Sequence, residues 1–202
     1  METHKKRKTV ERIYIDKVEF LEFENQIRLN EHLRRYAAIR RFCYGAVLDF
    51  ACGCGYGTYL ISVNPDVSKI TGVDIDAEAI KWAKNEFGGE RIDYVEQDIK
   101  YLNKKFDTLV CLETIEHIQD ISVIAEMIER CSIDQLIFSF PDKKSTHFNE
   151  FHFHDFVVQD IIDLFPAYVN YFRFKSGDVQ FVLFIKLPKD APPHIFRYIS
   201  DL

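Results

Sequence analysis

No apolar run in the 202 residues reaches the roughly 18 that a membrane-spanning helix needs. The basic start, "METHKKRKTVER", has no hydrophobic stretch behind it. Neither a membrane anchor nor a secretion signal is expected, and the expected location is cytoplasmic. Internal repeats, low-complexity tracts and long linkers are lacking too. The five cysteines, Cys43, Cys52, Cys54, Cys111 and Cys131, form no repeated C-x-x-C pattern. Cys52 and Cys54 sit one residue apart in a tight turn, which leaves a tetrahedral zinc without its other ligands. Buried thiols in a reducing compartment are the expectation. Positive charge is short as well: 26 Lys and Arg stand against 32 Asp and Glu, a formal net charge of −6. That balance argues against a long polyanion as main partner, because phosphate neutralisation supplies most nonspecific nucleic-acid affinity.

What is present suits one globular core. Hydrophobic residues make up 47% and charged residues 29%, ordinary values for a soluble domain. Leu29, Leu33, Tyr36 and Ile39 recur at helical steps, so residues 1–42 read as an N-terminal helical cap. From 43 to about 190, short β-like runs at 46–50, 69–75, 91–97, 106–112 and 135–140 alternate with helical stretches at 57–63, 77–87 and 119–131. This is the spacing of βαβ units. The alternation breaks at Pro141. A polar stretch and a helix over 157–164 follow, and then "VNYFRFK" and "DVQFVLFIKL" flank the turn "SGD" as an antiparallel hairpin at the sheet edge. The proline-broken tail 191–202 is expected on the surface. The fold class is therefore α/β: a Rossmann-like, seven-stranded, mostly parallel sheet with an antiparallel edge hairpin and an N-terminal helical cap.

"VLDFACGCGYGTYL", residues 47–60, places a glycine turn after the first strand, where the crevice of an open α/β sheet lies. Its glycines, Gly53, Gly55 and Gly57, read G-x-G-x-G rather than the dinucleotide fingerprint, and no G-K-[ST] follows. Three acids, Asp49, Asp74 and Asp98, fall at the same edge of the sheet. They would repel a pyrophosphate and hold a ligand carrying an ammonium, a sulfonium and ribose hydroxyls.

Over residues 46–140, "VLDFACGCGYG", "GVDID", "VEQDI" and "FDTLVCLETIEHI" stand in the order and spacing of four motifs, and the chain resembles the class I S-adenosylmethionine-dependent methyltransferases. The resemblance implies that Asp49, Gly53 and Gly55 line the methionine part of the cofactor. It also implies that Asp74 takes the ribose hydroxyls, that Ile75 flanks the adenine, and that Asp98 and Ile99 hold its edge. "NEHLRRYAAIRRF", with His32, Arg35 and Tyr36, resembles the helix that caps the cofactor in small-molecule and glycan-modifying members.

Transfer to an alcohol needs a base or a metal, because the hydroxyl must lose its proton. Glu113, Glu116 and His117 fall at i, i+3 and i+4 and share one face if the segment is helical. His152 and His154, two apart in "FNEFHFHDF", point to one side of an extended chain, with Phe151 and Phe153 on the other. Glu113, His117, His152 and His154 are the catalytic candidates, and Glu113, Glu116, His117 and His152 are the candidate ligands for Mg²⁺ or Mn²⁺. Phe148, Phe151, Phe153 and Phe156 are candidates for an aromatic acceptor pocket or for core.

E-x-x-E-H with a later histidine resembles metal-assisted O-methyltransferases of quinone biosynthesis and of small-RNA 2′-hydroxyls, although the histidine follows sooner here than in the RNA enzymes. The expected activity is O-methylation of a small polar metabolite or an activated or surface sugar, with a homodimer compatible with it. An RNA 2′-O-methyltransferase, a nicotinamide-dependent oxidoreductase and a non-catalytic cofactor-binding subunit stand as alternatives.

Overall fold

The computed structural model describes Tyr14, Lys17 and residues 31–147 and 149–187. Most of the expected cap, the tail 191–202 and Phe148 lie outside the described residues. None of the described helices is long and apolar enough to cross a membrane.

The chain enters through helix α1 (Glu31–Ile39), which a short 3₁₀ turn (Arg40–Phe42) extends. Strand and helix then alternate: β1 (Gly45–Phe50), α2 (Tyr56–Ser62), β2 (Val67–Asp74), α3 (Ala77–Phe87), β3 (Ile92–Glu96), β4 (Thr108–Leu112), α4 (Ser122–Arg130) and β5 (Gln135–Pro141). After a long loop come α5 (Val158–Leu164), β6 (Tyr168–Ser176) and β7 (Val179–Lys186). The seven strands form one sheet in the order β3-β2-β1-β4-β5-β7-β6. The first five are parallel, and β7 runs antiparallel to both β5 and β6.

Buried runs rather than alternation mark the central strands. All five residues of β4 are buried, as are the last four of β1, because helices cover both faces of a parallel sheet. Side chains divide between the two faces with period two. Val47, Val110, Ile137 and Leu183 pack with α1, α2 and α3 through Leu33, Leu60, Ile61, Ile80 and Phe87. Their neighbours Leu48, Leu109, Phe138 and Val182 pack on the other face with α4 and α5 through Ile124, Met127, Ile128 and Ile161. Helix α3 starts where it does because Asp76 accepts bonds from the N–H groups of Glu78 and Ala79 at its N-terminus. The stretch 119–131 becomes helical only from Ser122, since the Asp120 carboxylate instead takes the N–H and hydroxyl of Ser122.

The hairpin is not simply appended to the edge. Its second strand, largely buried, inserts between β5 and β6, which leaves the more exposed β6 as the outer strand. The topology places the C-terminal ends of β1, β2 and β4 side by side, with the sheet order reversing between β1 and β4. All five cysteines are buried thiols.

Candidate active site at the carboxyl edge of the sheet

Asp49, on β1, is fully buried. Its carboxylate accepts hydrogen bonds from the Thr58 hydroxyl at 2.6 Å and the Tyr36 hydroxyl at 3.3 Å. One acid thereby ties α1, β1 and α2 together. Burial pushes its carboxyl from 3.8 up to about 7, against the pull of those two bonds. The glycines make the arrangement possible. Gly55 has φ of 85°, and a Cβ there would sit 2.6 Å from Ala83 and 2.8 Å from the Tyr94 ring. A Cβ at Gly57 would sit 2.2 Å from the Tyr36 ring, so Tyr36 reaches Asp49 only across a bare backbone.

The other acids at this edge do different work. Asp74, at the end of β2, accepts from the N–H of Gly53 at 2.9 Å and of Asp76 at 3.0 Å, which fixes the glycine turn against the second strand. Asp98 is exposed and caps a 3₁₀ turn through the N–H of Lys100, with Ile99 buried behind it. Ile75 is 71% exposed at the rim, an apolar surface facing water. One hydrogen bond joins Asp49 to Tyr36 and another joins Gly53 to Asp74, with Gly55 in the same turn, and Ile75, Asp98 and Ile99 follow the ends of β2 and β3.

A second cluster follows β4. Residues 113–117 do not form one helical face. Glu113 adopts φ of 48°, a strained conformation for a side-chain-bearing residue, and only Ile115–His117 close a 3₁₀ turn. Glu113 accepts from the Ser139 hydroxyl at 2.9 Å and lies 3.6 Å from Arg35 of α1. Glu116 points into the protein at 1% exposure, and its Oε2 has no hydrogen-bond partner among the described residues. Burial, then the charge of Glu113, lifts its carboxyl from 4.5 up to about 8.

One carboxylate oxygen of Glu116 and one ring nitrogen each of His117 and His152 lie within 4.8 Å of one another. The two imidazoles meet edge to face at 4.5 Å between centroids. Nδ1 of His117 faces the Phe151 carbonyl at 3.0 Å; a carbonyl only accepts, so Nδ1 carries the proton and Nε2 the lone pair. Nδ1 of His152 is 2.5 Å from the Ser145 hydroxyl, which can accept from it or donate to it, and Nε2 carries the lone pair in the first case. Burial lowers the pKa of both rings, and His117 adds to the effect at His152.

The positioning groups Ser145, Thr146, Asp155 and the Phe151 carbonyl were not legible in the sequence. Asp155 accepts the N–H groups of Ser145 and Thr146 and the Thr146 hydroxyl, which clamps the loop that carries His152. The spacing S-T-x₈-D was the available signal, and the polar stretch around it hid it.

Two sequence candidates are placed elsewhere. Glu113 is engaged with Arg35 and Ser139 and is not among the three residues whose ligand atoms converge. His154 leaves the cluster: its Nε2 meets the Ile118 carbonyl at 3.0 Å and its ring stacks on Phe156. Both histidines thus lie against the 117–118 segment but on different partners, and Phe153 between them is exposed rather than packed.

Residues 48–135 match the family described as "Methyltransferase domain". The chain is 26% identical over 110 residues to malonyl-[acyl-carrier protein] O-methyltransferase of Acetivibrio thermocellus, an alignment covering 53% of this chain and 38% of that protein. It is 34% identical over 80 residues to ubiquinone biosynthesis O-methyltransferase of Erwinia tasmaniensis, covering 37% and 32%. The chain thus spans about a third of the length of these relatives. Its fold is similar to that of N-methyltransferase NodS from Bradyrhizobium japonicum WM9, solved with S-adenosyl-L-homocysteine. That match has a TM-score of 0.65 and 19% identity over 81% of this chain and 91% of that one.

Two outcomes follow from the buried acids and the bare turn. Asp49 and Glu116 hold their protons more tightly folded than unfolded, so stability is full in acid and falls as pH climbs from about 4 towards about 8. Thermal unfolding without added ligand should show that fall between pH 5 and 8.5, with a shallower slope in Asp49→Asn. Gly57→Ala should displace Tyr36 and cost about 1–3 kcal/mol in urea denaturation.

Proposed function

We infer that this chain, a member of the class I S-adenosylmethionine-dependent methyltransferases, methylates a hydroxyl oxygen of a small polar acceptor, with Glu116, His117 and His152 as the reacting side chains. The observation that carries the oxygen reading is the buried, unpartnered Oε2 of Glu116 beside two imidazoles whose Nδ1 atoms are both engaged. A buried acid without a partner holds its proton rather than bear the cost of a desolvated charge, and a divalent cation or an acceptor hydroxyl supplies the partner it lacks.

Transfer to a hydroxyl forms a carbon–oxygen bond, breaks the carbon–sulfur bond of a sulfonium and releases one proton. The chain's first contribution is alignment, worth roughly 7–11 kcal/mol when reactants are held in line. The turn at Gly53–Gly55, pinned by Asp74, and the Tyr36–Asp49 contact form the cofactor side. Asp74, at the end of β2 against the glycine turn, is the acid assigned to the ribose hydroxyls, whereas Asp49 is turned inward to Thr58 and Tyr36.

The second contribution is proton handling. Glu116, His117 and His152 suit Mg²⁺ or Mn²⁺ in donor chemistry, with a lone pair on His117 Nε2, one on Glu116 Oε2 and one ring nitrogen of His152. Such an ion, when bound, lowers the pKa of a coordinated hydroxyl. The Phe151 carbonyl and the Ser145 hydroxyl orient the two rings in the way second partners of metal-binding imidazoles do. A metal-free reading is favoured by one specific observation: burial lowers the His117 pKa and its lone pair lies at Nε2, the arrangement a general base needs.

Calorimetry with S-adenosylhomocysteine tests the cofactor assignment. Saturable binding is expected, weakened at least tenfold in Asp74→Ala, and no binding to the wild type overturns the reading. Mn²⁺ titration should show one site that is lost in Glu116→Gln. With a ion required, EDTA should lower turnover at least about 100-fold. Turnover that withstands EDTA but is abolished in His117→Ala assigns the proton to His117 alone.

A further inference from the structure

A cleft of about 460 Å³ opens beside the histidine pair, walled by α1, the end of β4, the segment after β5 and the β6–β7 turn. Its volume is that of a small-molecule site rather than a macromolecular groove. His152 and Glu113 stand on its wall, so an acceptor inside it lies against the cluster just described.

The lining is chemically one-sided. Pro141 and Val179 are the apolar side chains on the wall, and the rest is charged, hydroxylated, glycine or the His152 imidazole. A quinone ring or an acyl chain would find little surface there to bury, and burial of apolar area is what would hold it.

The charges are mostly spoken for. Arg35 pairs with Glu113 at 3.6 Å, with both side chains four-fifths or more buried. Lys143 pairs with Asp178 at 2.9 Å, but these side chains are 70% and 73% exposed, and such a pair is weak and readily exchanged. Glu31 lies in the first turn of α1, where the helix dipole favours a negative charge. Arg34 remains. It lines the cleft, is exposed, and makes no ion pair among the described residues. A guanidinium offers a planar fork of N–H donors that matches a phosphate or a carboxylate with two parallel bonds. Lys143 stands in the same cleft as a second cation.

We propose that this cleft is the acceptor site and that it takes a small hydroxyl compound carrying an anionic group, phosphate or carboxylate, which Arg34 holds. The inference rests on the methyltransferase reading above and adds the acceptor's chemical class to it. Arg34 touches the acceptor and sets specificity, and the proton chemistry stays with Glu116 and the histidines. The wall also explains why Arg35 and Glu113 are locked together: an anion-bearing ligand is admitted beside Glu113 only where that carboxylate is neutralised.

The test uses the full chain saturated with S-adenosylhomocysteine and four probes, inorganic phosphate, glucose 6-phosphate, glucuronate and glucose, titrated by calorimetry. At least one sugar anion is expected to bind at least tenfold more tightly than glucose, with Arg34→Gln bringing it down to the glucose level and Arg34→Lys restoring part of the difference. Glucose 6-phosphate and inorganic phosphate binding without glucuronate identifies a phosphate ester; glucuronate binding alone identifies a carboxylate. Equal binding of all four probes, failure of every anion, or an anion preference unchanged in Arg34→Gln overturns the inference. In those cases intact S-adenosylhomocysteine binding leaves the methyltransferase reading standing. Absence of S-adenosylhomocysteine binding overturns both.

Discussion

A carboxylate with no exposure at the end of a central strand has to find its partners inside the protein, and at Asp49 it finds them in two other elements. Thr58 comes from α2 and Tyr36 from α1, so the acid fixes where both helices begin to cover the sheet. That requirement explains the sequence around it. Gly57 is bare because the Tyr36 ring occupies the space of its side chain, and Gly55 is bare because Ala83 and Tyr94 crowd the turn from behind. Tyr94 then donates its hydroxyl to the Gly55 carbonyl at 2.8 Å, which fastens the turn to β3 as well. The site is built around a desolvated charge, and a glycine turn is the only backbone that lets so many groups converge on it.

The second cluster repeats the logic with a difference. Glu116 is as deeply buried as Asp49 but lacks the matching donors, and its neighbours are the imidazoles of His117 and His152. Asp49 is a structural acid whose bonds are complete, whereas Glu116 is an acid whose bonds are left open. Buried polar groups in native proteins are nearly always paired, and an exception located at the carboxyl edge of an α/β sheet marks a place for a ligand. The strain agrees with this. Among the described residues, two of the three side-chain-bearing ones with positive φ, Ala51 and Glu113, follow directly on β1 and β4, at the mouths of the two clusters.

How much of this the sequence carried depends on whether a feature is local. The strands β1–β5 and their helices were legible because a parallel sheet covered on both faces writes continuous hydrophobic runs separated by amphipathic ones. The glycine turn and the acids at the ends of β1 and β2 were legible for the same reason, each being read from its own few residues. What stayed hidden was set by contacts distant in the chain. Glu113 looked equivalent to Glu116 on a helical face, yet Ser139 and Arg35, far away in sequence, pull it to one side. His152 and His154 looked equivalent on an extended strand, yet one meets the His117 ring and the other the Ile118 carbonyl, partners far away in the chain. The insertion of β7 between β5 and β6 likewise follows from which strand is more apolar, a comparison between strands rather than a pattern within one.

Helix α1 is where the two clusters meet, and three successive residues show how. Arg34 faces the cleft, Arg35 reaches Glu113 after β4, and Tyr36 reaches Asp49 on β1. Successive helical positions are about 100° apart, so neighbours along one turn serve three directions, and no single one of them can be repositioned without moving the others. A shift of α1 that loosened Tyr36 from Asp49 would also free Glu113 from Arg35. Glu113 would then sit as an unneutralised acid beside Glu116, whose carboxyl its charge already pushes up. The two clusters are therefore coupled through one helix, whose placement fixes both the Tyr36–Asp49 bond and the charge that Glu113 presents to Glu116.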